Sequence, residues 1–278
     1  MNNTFNIHRF TLLLKRQWLE FGKVYLMTLA VVFAIIICFY AMSFSNVDEY
    51  KKADIINNLL RFRIPLFVLL GLLFISIVAS AYFLHLGNKA RAIGDLLTPA
   101  SKLEKYTTAI VYTTIVPILS FLLIFYMVDF AFVQANLNNY SDTQNIYENG
   151  EYINRTMQNS DWLFFRYSML STTHFGYLVG ICTTISVLVT SLFLAGSIYF
   201  NRFQYIKTLV AVVAFVSVAT LIYFQAIQFF FDNKVRISPN QTYDDNHGNG
   251  PFLVVIALAL VALFLYVVGY IRYKEKEV

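Results

Sequence analysis

Charge is what this sequence has least of. Only 13% of its 278 residues are Asp, Glu, Lys or Arg, about half the share of a soluble domain. A globular fold with so little charge could not cover its surface. Disorder, a coiled coil, a disulfide scaffold and an ordinary soluble enzyme all fit poorly. Cysteine is scarce as well: Cys38 and Cys182 are the two present, and both fall inside long apolar runs. No loop disulfide is therefore open to the chain, and no thiol metal site in a loop. The sequence has no GxxxxGK[ST] phosphate loop, no HExxH and no GxSxG. Lys and Arg are nearly missing from the middles of the apolar runs, which excludes a voltage sensor. Of His8, His85, His174 and His247, the middle two fall at opposite ends of their runs and cannot share a site.

What is present is apolar length. Hydrophobic residues make up 58% of the chain and aromatics 17%. Six stretches almost free of charge cover residues 24–44, 64–86, 107–133, 172–200, 208–231 and 251–271. Each reaches the roughly 20 residues that a spanning helix needs. In hydrocarbon the backbone must satisfy its own hydrogen bonds, so these are helices. The expectation is an all-α polytopic membrane protein, a single transmembrane domain over residues 1–278. No length remains for a folded water-soluble domain, so any ATPase must be another chain. Placing the N-terminus inside puts 13 of the 21 Lys and Arg on the inner side. That bias predicts both termini in the cytoplasm. Asn, Lys, Ile, Tyr and Phe are abundant, which hints at an AT-rich bacterial genome and a bacterial cytoplasmic membrane. The first apolar run is too long for a signal peptide, and an amphipathic segment precedes it.

That segment covers residues 4–23. Phe10, Leu13, Leu14, Trp18 and Phe21 recur at helical spacing, with Arg9, Arg16, Glu20 and Lys23 on another face. It reads as a basic amphipathic helix lying in the membrane surface, turning into the first span at Gly22. The alternative is that the helix simply extends the first span. The inner loop 87–106 is dense in local signals. Ser101 and Glu104 have the spacing of a capping box, and Thr98-Pro99 is a second helix-start signal. The outer loop 134–171 is polar up to Ser160, which could cap a short helix over 161–167. The outer loop 232–250 reads as a connector.

Few residues in the spans offer chemistry. Asp129 is the one acid in a span, close to its outer end. It is either an interfacial side chain or part of the polar lining of an exit path. Pro117 predicts a kink or a freed carbonyl in the third span. Gly176 and Gly180 form GxxxG, and Ser76 and Ser80 have the same spacing. Both suit close helix packing, within the chain or across a dimer seam. Gln225 and Gln228 could line a path or pair with neighbouring helices.

The string Leu97-Thr98-Pro99-Ala100-Ser101-Lys102-Leu103-Glu104-Lys105 resembles the LPAS-x-x-EK string of Bacteroidetes-type ABC-2 permeases. Thr98 stands where many members carry Leu. Residues 194–201 with Lys207, and the closing residues 273–278, are similar to the same group. The resemblance implies the membrane subunit of an ABC transporter, chiefly an exporter, working as a homodimer or heterodimer. Two cytosolic ATPases would carry ATP and Mg, with no cofactor in this chain and no nucleic-acid partner. It further implies a coupling helix near 89–97, with Arg91, Ile93, Asp95 and Leu96 docking on the ATPase, and with Ser101 and Glu104 in the segment leading back to the membrane. Two other readings remain. A membrane assembly or accessory protein would explain the topology equally well. An intramembrane enzyme would need a polar constellation at one depth.

Overall fold

The computed structural model describes residues 6–44, 52–83, 98–136, 142–148, 151–157, 159–171, 175–200, 203–231 and 250–276. Six of its helices are long and apolar enough to cross a membrane. They are α1 (Ile7–Phe44), α2 (Lys52–Tyr82), α3 (Lys102–Asn136), α5 (Phe175–Tyr199), α6 (Gln204–Phe231) and α7 (Gly250–Lys276). A short helix α4 (Phe164–Ser171) precedes α5. The chain is a multi-pass, almost wholly helical membrane protein. Its outer surface is apolar: Val213, Phe215 and Val218 on α6 and Leu260, Leu263 and Phe264 on α7 are all exposed. In water such a surface would be untenable; in lipid it is the expected one.

α5 lies against both α2 and α7, while α1 packs on α2 and α3. The core between α1, α2 and α3 is aromatic. Phe67 meets the rings of Phe121 and Phe125 at 5.5 and 5.0 Å. Gly71 makes room there, since a Cβ on it would come within 2.9 Å of the Phe121 ring.

Four departures from expectation have physical reasons. First, no turn occurs at Gly22: α1 is one unbroken helix of 38 residues. The amphipathic segment extends the first span, and Trp18 lies over Gly22 on the same helix. Second, α2 begins at Lys52, twelve residues before the apolar run, so Arg63 belongs to a helix rather than to an outer loop. Third, Thr98-Pro99 starts no helix. α3 starts at Lys102 behind the Ser101 cap, where both bonds of the capping box form.

The fourth departure lies in the loop 134–171. Strands β1 (Asp142–Glu148) and β2 (Glu151–Met157) pair antiparallel there, from Asp142 opposite Met157 to Glu148 opposite Glu151. Asn159–Trp162, with Ser160 in it, forms a 3-10 turn, and the short helix expected over 161–167 is α4, starting at Phe164.

α3 is not uniform. Val111–Ile115 is a π-helical turn, in which the Val116 N–H bonds to the Val111 carbonyl five residues back. Pro117 follows directly and has no N–H to give. The wider turn is the local opening that the proline predicted.

α1 and α3 run parallel. The Asn6 N–H donates to Glu104 at one end, Tyr112 Oη donates to the Leu14 carbonyl, and Tyr40 Oη donates to Asp129 at the other end. Between the end contacts α1 carries about 51 Å of helix and α3 about 38 Å, at 1.5 Å per residue. Lys102 Nζ, at the start of α3, reaches the Lys274 carbonyl near the end of α7 at 3.4 Å. Both ends of the described chain thus share one face of the bundle.

Candidate functional site

The chemistry collects at the two ends of the α1–α3 contact. At the face carrying the chain ends, Glu104 is fully buried. Its Oε1 accepts the Asn6 N–H at 2.7 Å and Arg9 Nη2 at 3.1 Å. Its Oε2 accepts the Ser101 N–H at 2.8 Å, and Ser101 Oγ accepts the Glu104 N–H at 3.2 Å. One carboxylate thus caps α3 and also holds the start of α1. Its position at the first turn of a helix suits its charge. Arg16 bonds to Thr98 Oγ1 and to Glu20, which ties the next turns of α1 to the segment before the cap. A cavity of about 450 Å3 opens here, lined by Arg9, Leu12, Leu13, Arg16, Thr98 and Pro99 among others.

At the opposite face lies a second buried carboxylate. Asp129 is 1% exposed and Arg63 is 2% exposed. Arg63 Nη2 lies 3.0 Å from Asp129 Oδ1, as an ion contact rather than an aligned hydrogen bond. Tyr40 Oη donates to the same oxygen at 2.7 Å, and the Phe164 N–H donates to Oδ2 at 2.7 Å. Arg63 Nη1 donates to the Trp162 carbonyl at 2.6 Å. The cluster joins α1, α2, α3 and the 3-10 turn running into α4. Desolvating two charges is costly, and only this density of partners offsets it. Beside it, Arg166 pairs with Asp161 at 2.7 Å, and Tyr167 stacks on Trp162. Burial raises the Tyr167 phenol above its ordinary value, against the opposing pull of the Arg63 charge.

A third polar group sits within the spans. Tyr266 Oη is 2.7 Å from Thr114 Oγ1 and 3.0 Å from Thr190 Oγ1. Thr114 belongs to the π turn, so this trio binds α5 and α7 to α3 at the level of that turn. Tyr106 Oη donates to the Tyr266 carbonyl at 2.8 Å.

The sequence candidates divide accordingly. Ser101 and Glu104 come together as the spacing predicted. The Asn6 and Arg9 contacts to Glu104 were not foreseen, because they depend on α1 lying parallel to α3. Asp129 is enclosed with Arg63, which lies just outside the apolar run of the second span. No local pattern pairs two residues so far apart in the chain.

Gly176 and Gly180 seat no neighbour, since a Cβ on either would meet nothing within 4 Å. Gly196 does seat one: a Cβ there would lie 2.6 Å from the Thr208 methyl on α6. Ser76 and Ser80 are buried in helix contacts, Ser76 Oγ lying 3.4 Å from Tyr205 Oη. Gln225 is exposed. Arg91, Ile93, Asp95, Leu96 and the side chain of Gln228 lie outside the described residues. Among the described residues, no three His, Cys, Asp or Glu side chains gather as a metal site.

No family model, no curated protein and no solved structure matches this chain.

Proposed function

We propose that this chain is the membrane-spanning subunit of an ABC-2-type transporter, an exporter driven by a separate cytosolic ATPase. The observation that carries the reading is the Glu104 clamp. A passive connector between two spans has no need of a buried carboxylate that fixes both the following helix and the chain's first helix. A loop that receives force does. Residues 98–105 would then pass any movement of the preceding inner loop directly into α1 and α3. The charge bias of the loops supports placing this face in the cytoplasm, and the organism would be a bacterium. The partner ATPase would supply ATP and Mg, and a second membrane subunit would complete the transporter. ATP binding would shift the bundle only through contacts that differ between its two states.

The test is to tag the C-terminus, extract in mild detergent and assay what co-purifies. The expected result is a stoichiometric Walker-motif ATPase with vanadate-sensitive turnover. Charged replacements of Ile93 and Leu96 should lower that recovery while leaving membrane insertion intact. Purification of the chain without an ATPase, repeated after crosslinking in cells, would instead favour the assembly or accessory reading.

A further inference from the structure

We propose that the cavity between α1 and the 98–100 segment binds the phosphate group of an anionic phospholipid. The proposal does not rest on the transporter reading.

Charge is the first support. Residues 6–23 and 98–105 carry Arg9, Lys15, Arg16, Lys23, Lys102 and Lys105 against only Glu20 and Glu104. In a chain with so little charge this is a marked cationic concentration, and the cavity lies in that part of the fold. Arg9 and Arg16 both line it. They are seven residues apart on one helix, two turns, and so share a face. Guanidinium groups bind phosphate oxygens bidentately, which a fixed pair of arginines can exploit.

Availability is the second support. Arg9 is anchored by Glu104 yet keeps its side chain a third exposed. Arg16 is held by Glu20 in a pair that is 42% and 55% exposed. Such exposed pairs contribute little, so a phosphate can take the place of Glu20. Thr98 Oγ1 stands beside Arg16 as a further polar group at the cavity wall.

The remaining wall decides the class of ligand. Leu12, Leu13 and Pro99 share the cavity with the arginines, and Leu12 is 53% exposed. At about 450 Å3 the cavity falls in the range of small-molecule sites. Bare phosphate would leave the apolar wall unused. A phospholipid places its phosphate on the guanidinium groups and its glycerol and first methylenes on the leucines. Cationic and apolar groups meeting on one helix face is the pattern of the headgroup level.

The experiment uses the full chain in nanodiscs of phosphatidylglycerol or phosphatidylcholine, with retained lipid counted by native mass spectrometry after detergent release. Wild type should retain phosphatidylglycerol in preference by about tenfold, because the choline cation of phosphatidylcholine neutralises its phosphate and would stand beside the two guanidinium groups. Arg16→Gln should abolish most of that preference, Arg16→Lys should lose less, and Arg272→Gln, a basic residue elsewhere, should change nothing. Gel filtration and melting of each variant establish that it is folded; the Lys variant serves if the Gln variant is not. Equal retention of both lipids by wild type would overturn the proposal. So would equal losses in Arg16→Gln and Arg272→Gln, which would mean a diffuse surface charge. A second arm adds inorganic phosphate or ATP in detergent. Arg16-dependent protection against heat by these, without any lipid preference, would assign the site to a soluble phosphate and overturn the lipid assignment.

Discussion

Asp129 and Glu104 show how much one carboxylate can organise when both of its oxygens are used. Asp129 takes hydrogen bonds from α1 and from the first residue of α4, and an ion contact from α2. Removing either charge leaves the other buried and uncompensated. Arg63→Ala and Asp129→Ala should therefore each destabilise by about 3–5 kcal/mol. The double change to leucine should lie nearer wild type than either single variant. Unfolding in one detergent, followed by Trp162 fluorescence in a Trp18→Phe background, reads this directly; additive losses would contradict the coupling. Glu104→Ala orphans three donors at once. It should free the start of α1, so that trypsin cuts at Arg9 and Lys15 well before the bundle unfolds. Unchanged cleavage would mean that packing alone holds that helix. Half of this site was legible in the sequence. Ser101 and Glu104 announce a cap because the cap is local. Arg63 and Asp129 announce nothing, because their pairing is a fact of tertiary structure only.

Helices are legible where the solvent dictates them. All six spans follow from apolar length, since lipid leaves the backbone no other choice. Their ends are less legible. α1 runs through Gly22 because glycine only weakly disfavours a helix, by about 1 kcal/mol, and packing along α3 outweighs that. The hairpin did carry a sequence signal: Asn149-Gly150 between two runs of similar length is a favoured hairpin dipeptide. Glycine spacing does not name the partner approached, because GxxxG states only that close approach is permitted. Gly196→Ala should destabilise clearly, since Thr208 fills the space a methyl would need. Gly176→Ala and Gly180→Ala should leave the isolated chain unchanged. Melting temperatures of the three variants separate the cases, and weaker self-association of the Gly176–Gly180 pair alone would locate a subunit seam. Tyr266→Phe removes the hydroxyl shared by Thr114 and Thr190. It should cost about 1 kcal/mol, with the loss seen as faster hydrogen exchange around the π turn.

The whole molecule is a bundle in which both ends of the described chain lie on one face, while the 3-10 turn and the start of α4 meet the opposite end of α1, α2 and α3. In a cysteine-free background, Lys274→Cys and Asn154→Cys should react with an impermeant thiol reagent from opposite sides of the membrane. Labelling of both from one side would overturn the six-span topology. The contacts at the two ends of α1 and α3 have a mechanical consequence. Two parallel rods pinned together at both ends of their contact cannot slide freely past one another. A lengthwise thrust on either one is shared by both. A push along the membrane normal at the start of α3 would therefore carry α1 with it.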